Sequence, residues 1–582
     1  MNDRREPLLR VKHEWWPPLL VVLLTVPALQ PLWQAGLQQT DDGAHHIFRL
    51  LSLDIALRSG HLGTRWLSYE GFGYGFPVLN FYAPLGYLPG LAFHLMGAGF
   101  VASLELTIAL GLVAAALAMY AFARELLGNW GGAVAAVAYT WAPYHLADAW
   151  TRGALAEHLA FVWLPLLLLA LWRSARAEGR DRLWSILWGG MALAGLVLTH
   201  NLTVILAAPI LIGWGFLVLV VEARTARWQC VRGFIVMGLF GVAISAAFWL
   251  PALAESKYVW AGQVPMEFNA WVRVLTPPQH LLAESWFHRF TPAQSPRALH
   301  ALGRAQVAVA ALGLAVAFWR WQRLERMARL AVLLFLGLAL LALFMQSAWS
   351  RPLWRAMSGL LLLLQFPWRW QTVGVLALAV VGGYLGQETL RVSKTLRVCA
   401  ATAILISGAL PNLPWEPGNI PATGTPFRDD NVNLASMAMY DFGRGLWLRE
   451  HGSDWMFEYM PIWVQVPRAD FFLSAGPDTG NETPLAVQVM PGRQTPLERT
   501  FRVTSPTAWR LQLHQFYFPG WEASVDGRVK AAGPTGPLGL AGIDVPAGEH
   551  QVVFRFGLSG ARRFGWALSL VGAALGLAGL VW

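Results

Sequence analysis

The sequence predicts a polytopic α-helical membrane protein that carries a small β-domain outside the membrane. Hydrophobic residues make up 55% of the 582 residues and charged residues 13%, with a mean hydropathy of +0.43. This composition is too apolar for a soluble protein of several domains. Apolar segments long enough to cross a bilayer recur between short basic loops. After residue 410, Pro, Gly, Asn and Asp break the apolar runs, and alternation at period two follows.

About twelve apolar segments are candidate membrane spans, since a span needs about 20 residues. We predict them at residues 17–33, 101–123, 130–144, 154–172, 183–198, 202–221, 234–250, 303–319, 330–344, 370–387, 398–410 and 564–582. The apolar segment Ala83–Met96 is too short to cross comfortably and contains two prolines. We therefore expect a re-entrant or interfacial helix there.

Basic residues concentrate in short loops, which predicts the topology. Under the positive-inside rule these loops face the cytoplasm. They lie at residues 4–12, 173–182, 224–232, 320–329 and 391–397. Both termini are then cytoplasmic, in the inner (plasma) membrane of the cell. The net charge of +10 is a topology signal, and because no nucleic-acid motif is present we expect the lipid bilayer and no nucleic acid as partner. Arg562 and Arg563 fall on the outer side, against the rule.

The same topology places several long segments on the outer side of the membrane, where we expect the active site. They are residues 34–82, 145–153, 251–302, 345–368 and 411–562. The predicted domains are a transmembrane domain at residues 1–410, an outer and mainly β domain at residues 411–562, and a last transmembrane helix at residues 563–582.

The β-domain is predicted from alternating segments near the end of the chain. Trp509–His514 and Gln551–Phe556 alternate at period two, and Asp526–Gly527 is typical of a hairpin turn. Tyr517 and Trp521 could stack on sugar rings. The favoured interpretation is that they form the core of a small sandwich.

A polar motif follows the first span. Asp42, His45, His46 and Arg49 are spaced i, i+3, i+4 and i+7, so on a helix they share one face. The opposite face carries apolar residues, which suits a helix that lies flat on the bilayer surface. Its members are Ile47, Leu50, Leu51 and Ile55. The alternative is that Thr40 and Asp41 only cap this helix and that the histidines are solvated.

Other polar residues stand at outer helix ends. Glu157 lies just inside a span, where a carboxylate at the bilayer centre costs about 2.5–3.5 kcal/mol, so we expect it to pair with Arg152. A structural ion pair and a catalytic pair both remain open. His200 and Arg369 stand at two further outer ends, and for His200 a satisfied interfacial histidine is the favoured interpretation.

These groups suit sugar transfer from a lipid phosphate. A carboxylate near the membrane surface can act as general base, while Arg and His neutralise the departing phosphate. The carboxylates of Asp41 and Asp42 could instead hold Mg²⁺ or Mn²⁺. The residues alone do not decide between a metal and direct stabilisation by arginine.

Several motifs together resemble a known family. They are Asp42–His46, Gly60–Trp66, Gly71–Leu85, Arg152–Glu157, Phe248–Glu255, Phe366–Arg369 and Glu458–Pro461. Across nearly the whole chain the sequence resembles the bacterial membrane family called 6-pyruvoyl-tetrahydropterin synthase-related, which is similar to GT-C glycosyltransferases in layout. Tyr517–Trp521 with Val525–Gly527 is similar to the outer β-domain of YfhO-type membrane proteins.

The resemblance implies a GT-C-like fold and a polyprenyl-phosphate sugar donor with inversion at the anomeric carbon. It implies a base or metal-binding acid at Asp41 or Asp42, and a second acid at Glu157 or, less well, Asp148. The motif here reads Asp-Asp-Gly, which departs from the Asp-any-Asp pattern and leaves metal dependence open. The implied acceptor is a glycan, a lipid or a protein.

The leading hypothesis is therefore an outward-facing membrane glycosyltransferase. The predicted catalytic residues are Asp41, Asp42 and Glu157, and the predicted substrate-binding residues are His45, His46, Arg152, His200 and Arg369. The alternatives are a non-enzymatic transporter or polysaccharide-export component, whose polar groups would line a path, and an inactive scaffold whose β-domain binds glycans.

Overall fold

The protein is described by a computed structural model at residues 15–222, 227–260, 275, 302–387, 392–409, 417–451, 459–465 and 486–581. Long apolar helices form most of the chain, and eight strands form its last outer part. This confirms the predicted fold class of a polytopic helical membrane protein with a small β-domain. Glu458, Leu410, Trp582 and most of the outer segment 251–302 lie outside the described residues.

Seven described helical segments are long and apolar enough to cross a membrane. They are Trp16–Trp33, Phe100–Thr140, Leu155–Arg176, Gly179–Thr199, Asn201–Val221, Arg227–Ile244 and Arg326–Gln346. The predicted spans near residues 303, 370, 398 and 564 correspond to the helices Arg304–Trp319, Gln371–Gly383, Lys394–Ala409 and Gly560–Val581. The total of twelve stays a prediction.

Shorter helices connect these segments on the side of the polar motifs. They are Gly43–Arg58, Val78–Phe81, Leu88–Leu95, Pro143–Trp150, Ala246–Glu255, Arg351–Ala356, Ser358–Leu361 and Leu434–His451. The helix Leu88–Leu95 follows a 3₁₀ turn at Pro84–Tyr87. Its eight residues cover about 12 Å, which is too short to cross a bilayer, as the sequence predicted.

The segment Phe100–Thr140 is two antiparallel helices and not one long rod. Gly128 has φ 78° and ψ 177°, a conformation outside the helical region that glycine adopts without a Cβ penalty. The Tyr120 hydroxyl donates to Asn129 Oδ1 at 3.1 Å, and a Cβ on Gly132 would lie 3.0 Å from Arg124 Cα. The chain therefore reverses at Gly128, which agrees with the two spans predicted on either side of it.

The helix Gly43–Arg58 contradicts one prediction. Ile47 and Leu50 on its apolar face are buried, but so is His46 on its polar face. The Phe48 ring packs against Phe427 and Tyr440, with centroids 5.7 and 5.4 Å away. The helix lies inside the protein and not flat on the bilayer surface. The amphipathic pattern identified a polar face correctly, but it carried no information on the outer segment that covers it.

The β-domain contains two antiparallel sheets. Its strands are β1 Gln488–Thr495, β2 Glu498–Ser505, β3 Trp509–Phe516, β4 Trp521–Val525, β5 Arg528–Ala531, β6 Gly533–Thr535, β7 Leu540–Val545 and β8 Gly548–Phe556. One sheet has the order β1-β2-β8-β4-β5 and the other β3-β7-β6. The predicted alternating segments are in β3 and β8, and Asp526–Gly527 turns between β4 and β5. The predicted outer domain also contains the helix Leu434–His451.

The aromatic residues of the β-domain belong to its core, as favoured above. Trp521 is 3% exposed and packs edge-on against Trp66, with ring centroids 5.9 Å apart. Trp66 comes from the first outer segment, so the β-domain is joined to the rest of the outer side through a shared apolar core.

The buried pair Glu255–Arg562 explains why a basic residue can stand on the predicted outer side. Arg562 Nη2 lies 2.8 Å from Glu255 Oε2, and its guanidinium lies over the Phe556 ring. Asn80 Nδ2 donates to the same Glu255 oxygen at 2.8 Å. Arg562 is therefore neutralised inside the protein, where it joins the last helix to two other parts of the chain. Its neighbour Arg563 is exposed.

Candidate functional site

The aspartate motif of the first outer segment pairs directly with the segment that carries Arg152. The backbone N–H of Asp41 donates to the Thr151 carbonyl at 3.3 Å, and that of Asp42 donates to the Arg152 carbonyl at 2.9 Å. Gly153 has φ +63°, and a Cβ there would lie 2.5 Å from Thr40 Oγ1. Glycine thus permits the close approach. Two regions about 110 residues apart in the sequence meet here by their backbones.

The carboxylates of Asp41 and Asp42 are not used for capping. The Gly43 N–H that opens the helix donates to Thr40 Oγ1 at 3.0 Å, while Asp42 stands at the N-cap without a side-chain hydrogen bond. Neither aspartate forms an ion pair with a described residue, and both keep partial exposure. Thr40 therefore caps the helix, as the alternative expected, whereas the Asp41 side chain does not, and both aspartates are half-buried without a side-chain partner in the described ranges.

Burial raises the pKa of both carboxyl groups. It raises the pKa of Asp41 to about 7; the neighbouring charge of Asp42 adds to the rise, and Arg152 and Arg444 oppose it. Burial also raises the pKa of Asp42, against the opposing charges of Arg152 and Arg49. A carboxyl group whose pKa lies near the working pH is suited to accept a proton as a general base.

Glu157 holds two arginines together. Its Oε2 lies 3.1 Å from Arg152 Nη1 and 3.2 Å from Arg369 Nε, and its Oε1 accepts a hydrogen bond from the Tyr144 hydroxyl. Arg152 also pairs with Asp148. The predicted pairing of Glu157 with Arg152 is confirmed, and Arg369 joins it from 212 residues away. Both carboxylate oxygens are occupied, so the geometry suits a positioning role.

Both arginines keep donors that the protein does not use. Arg369 Nη1 donates to the Leu364 carbonyl at 2.8 Å and to Gln365 Oε1 at 3.0 Å, which fixes the guanidinium plane. The Nη2 groups of Arg369 and Arg152 have no hydrogen-bond acceptor in the described parts of the chain. Guanidinium donors held in this way can bind the oxygens of a phosphate.

Of the two histidines of the motif, His46 is buried and His45 is half-buried. His46 Nδ1 lies 2.8 Å from the Tyr87 hydroxyl, which also accepts from Arg49 Nη1 at 3.1 Å. His45 Nε2 lies 3.2 Å from the Tyr440 hydroxyl. Burial lowers the pKa of both imidazoles well below the usual value, and nearby arginines lower it further. They are neutral at pH 7, so the positive charge of the site comes from its arginines.

His200 stands between the helices Gly179–Thr199 and Asn201–Val221. Its Nδ1 lies 2.6 Å from Thr203 Oγ1, and the residue is 8% exposed. This agrees with the favoured interpretation of a satisfied histidine at the membrane interface. Glu157 is near enough for their charges to interact. A direct role for His200 in substrate binding stays a prediction.

Sequence reasoning missed two acids that the fold brings close to each other, and one of them, Glu70, interacts with Arg49. Glu70 comes from a glycine-rich loop, and Asp441 from the helix Leu434–His451. Burial raises the pKa of Glu70 to about 8 and that of Asp441 to about 7. Neither residue stands at the end of an apolar segment, so the signal that revealed Asp42, Glu157 and Arg369 was absent. Tyr144 could have been found, because it opens the polar run before Glu157.

The predicted metal site lacks a complete set of protein ligands among the described residues. Asp41 and Asp42 provide two carboxyl groups without protein partners. Within the described ranges, no group of three or more His, Cys, Asp or Glu residues is arranged to hold a metal ion. Mg²⁺ and Mn²⁺ prefer six oxygen ligands. The residues do not fit a protein-ligated divalent ion, and binding of Mg²⁺ or Mn²⁺ through these two groups and water stays a prediction.

The family model of the 6-pyruvoyl-tetrahydropterin synthase related domain, described as a membrane protein, matches residues 79–415, more than half of the chain. The chain belongs to this family. The resemblance identified from the motifs is thus confirmed, and the protein is a membrane protein. No curated protein matches its sequence.

The chain is also similar to three solved membrane-protein structures. It is 16% identical to arabinofuranosyltransferase AftD from Mycobacteria, with a TM-score of 0.40 over 68% of this chain and 26% of that one. It is 16% identical to ArnT from Cupriavidus metallidurans bound to undecaprenyl phosphate (TM-score 0.38; 74% and 75% covered). It is 14% identical to the Archaeoglobus fulgidus oligosaccharyltransferase (TM-score 0.35; 76% and 57% covered). The chain spans about a quarter of AftD. Since these TM-scores lie below 0.5, the function proposed next is argued from the site.

Proposed function

We propose that this family member is a membrane glycosyltransferase that transfers a sugar from a polyprenyl-phosphate donor to an acceptor outside the cytoplasm. The observation that carries the proposal is the pairing of the Asp41–Asp42 backbone with Thr151–Arg152. It sets two carboxyl groups without protein partners beside arginines with spare donors. A base next to an anion-binding group is what sugar transfer from a phosphate requires.

Arg152 and Arg369 bind the donor phosphate in this proposal. As the bond from the anomeric carbon to the phosphate oxygen breaks, its electron pair leaves with the phosphate. Guanidinium donors that are already in place stabilise this charge without reorganisation. Glu157 positions both arginines, since each donates to its Oε2 atom.

Asp42 is the proposed base. Four arginines, Arg49, Arg152, Arg369 and Arg444, lie close enough to interact with its charge, which places it at the centre of the cationic site. Its carboxylate takes the proton of the acceptor hydroxyl while the new carbon–oxygen bond forms opposite the leaving phosphate. A single displacement of this kind inverts the anomeric carbon. The site faces the outside of the plasma membrane in this proposal, as the basic loops predict.

Transfer assays in nanodiscs with a panel of polyprenyl-phosphate sugars test the proposal. We expect Asp42→Asn to lower the transfer rate by about 10²- to 10⁴-fold, the usual contribution of a general base. Asp430→Asn is the matched control, because Asp430 is exposed. A D42N variant that transfers at the wild-type rate would remove Asp42 from the mechanism. Absence of transfer with every donor, together with uptake of a lipid-linked sugar into vesicles, would instead support a transporter.

Chelation distinguishes arginine from metal stabilisation in the same assay. Because Arg152 and Arg369 supply positive charge, we expect EDTA to lower the rate by less than about twofold. Loss of activity that Mg²⁺ or Mn²⁺ restores would show that Asp41 and Asp42 hold a divalent ion with water.

A further inference from the structure

A glycine-rich loop at residues 68–76 enters the site from the side of the β-domain. Leu67 and Phe76 form an isolated antiparallel bridge that closes it. Phe72 has φ 61°, a left-handed conformation that is unfavourable for a non-glycine residue. Such a conformation persists only where the surroundings hold it. The loop carries Glu70.

Gln515 of strand β3 holds this loop. The residue is 3% exposed, and its Nε2 donates to the carbonyls of Ser68 at 3.0 Å and Gly73 at 2.7 Å. Its Oε1 accepts from Trp66 Nε1 at 2.8 Å. One side chain of the β-domain therefore binds the backbone on both sides of Glu70.

The other side of the loop is bound by the helix Leu434–His451. Asp441 Oδ2 accepts a hydrogen bond at 3.0 Å from the N–H of Phe72, the residue with the left-handed backbone. Tyr440, the residue before it, reaches His45 in the candidate site. The loop is thus clamped between the β-domain and the segment that covers the aspartate motif.

Glu70 and Arg49 each leave one buried polar atom, Oε1 and Nε respectively, without a hydrogen-bond partner in the described part of the chain. Their opposite charges interact, yet they form no ion pair within 4.0 Å. A hydroxyl group has the chemistry to satisfy both atoms, because its oxygen accepts a hydrogen bond from a guanidinium N–H and its O–H donates to a carboxyl oxygen. Its oxygen also accepts a hydrogen bond from a protonated carboxyl group, so it pairs with Glu70 in either protonation state.

We propose that Glu70 and Arg49 bind a hydroxyl group of the acceptor, and that Gln515 is the positioning residue that holds Glu70. This inference rests on the proposed function. Asp42 engages the reacting hydroxyl, and Arg49 interacts with the charge of Asp42, so the acceptor must present a second hydroxyl nearby. The acceptor is therefore a sugar unit of a glycan and not a protein side chain with one hydroxyl.

Steady-state kinetics with a glycan acceptor test both residues. We expect Glu70→Met to raise the KM for the acceptor about tenfold, since the side chain loses its hydrogen bond to the acceptor hydroxyl, while kcat and the donor KM change little. Gln515→Met should raise the same KM and increase hydrogen exchange at residues 67–76. The matched controls are Glu522→Met and Gln551→Met, whose side chains are exposed in the same β-domain. Both should behave as wild type.

The outcomes separate this inference from the function on which it rests. If D42N is inactive and E70M keeps the wild-type acceptor KM, the acceptor site is wrong and the glycosyltransferase stands. If Q515M raises neither the KM nor the exchange of the loop, the positioning role is wrong. If Q515M does not fold, Gln515→Glu, which loses both N–H donors at nearly constant size, takes its place. A wild-type protein without transfer activity overturns both proposals.

Discussion

At the scale of single residues, the site depends on one buried carboxylate shared by two cations. Glu157 is 2% exposed and lies between Arg152 and Arg369, with Tyr144 bonded to its other oxygen. Removing one partner of a buried ion pair leaves a charge in an apolar environment. Glu157 therefore affects both the stability of the protein and the shape of the anion site.

Replacing Glu157 by Gln should destabilise the protein by about 3–5 kcal/mol, because Arg369 loses its carboxylate partner and Arg152 is left with Asp148 alone. Thermal unfolding of the detergent-solubilised protein measures this. Glu125→Gln is the control, since Glu125 pairs with Arg173 at a partly exposed position where such pairs contribute about 0–1 kcal/mol. Equal losses of stability in both variants would show that the buried ion pairs of Glu157 contribute no more than an exposed pair.

The pH dependence of transfer follows from the aspartate pair. Burial and the neighbouring Asp42 raise the pKa of Asp41 from 3.8 to about 7, so below that pH the pair binds an additional proton. Asp42, the proposed base, must be deprotonated to act, and burial raises its pKa as well, so we expect kcat/KM to rise with pH as the pair loses its protons. Rates from pH 5 to 9 measure this, with thermal unfolding over the same range as the control for folding. A flat profile would contradict it.

The sequence could identify these residues only where polar groups interrupt apolar segments. Asp42, Glu157 and Arg369 stand at predicted outer helix ends, and the pairing of Glu157 with Arg152 followed from a spacing of five residues. Glu70 and Asp441 stand in polar surroundings where another acid carries no signal. The neutral state of His45 and His46 depends on burial that only the fold provides.

At the scale of elements, the hydrophobic patterns predicted the helices but not which segments pack over them. The reversal at Gly128 agrees with the two predicted spans around it. The helix Gly43–Arg58 was predicted correctly as amphipathic, yet it lies under the outer segment and not on the bilayer. The same outer segment also binds the N-terminus of the helix that begins at Phe100, through Asp429.

Asp429 gives a test of that contact. Its Oδ1 accepts from the Val101 N–H at 2.6 Å and from the Ala102 N–H at 3.4 Å, and it places a negative charge at a helix N-terminus. We expect Asp429→Ala to lower the free energy of unfolding by about 0.5–2 kcal/mol. Hydrogen exchange at residues 100–104 should increase as well. Asp430→Ala should change neither, and equal effects of the two variants would disprove the contact.

At the scale of the whole molecule, contacts between distant segments assemble the outer side. Glu255 binds both Asn80 and Arg562, and Gln515 binds Trp66 and the loop that follows it. These partners lie 175 to 449 residues apart. Pairs so far apart leave no local pattern in the sequence. The sequence therefore predicted the β-domain as an appendage, without its contacts to the first outer segment.

Variants of Arg562 and Arg563 distinguish the stabilisation by a buried ion pair from the effect of net positive charge. We expect Arg562→Met to destabilise the protein by about 3–5 kcal/mol, because Glu255 is left buried without its cation. Arg563→Met removes the same charge from an exposed neighbour and should change stability little. Thermal unfolding in detergent compares the two. A loss in R563M as large as that in R562M would show that net charge, and not the buried pair, matters.

The central claim is that Arg152 and Arg369 bind the donor phosphate in the same site as Asp42, the proposed base. A cryo-EM structure of the protein in nanodiscs with a polyprenyl phosphate tests it most directly. We predict that the phosphate accepts hydrogen bonds from the spare Nη2 groups of Arg152 or Arg369, on the side that faces the Asp42 carboxylate. A phosphate bound elsewhere, with both arginines still contacting only their protein partners, would contradict the account.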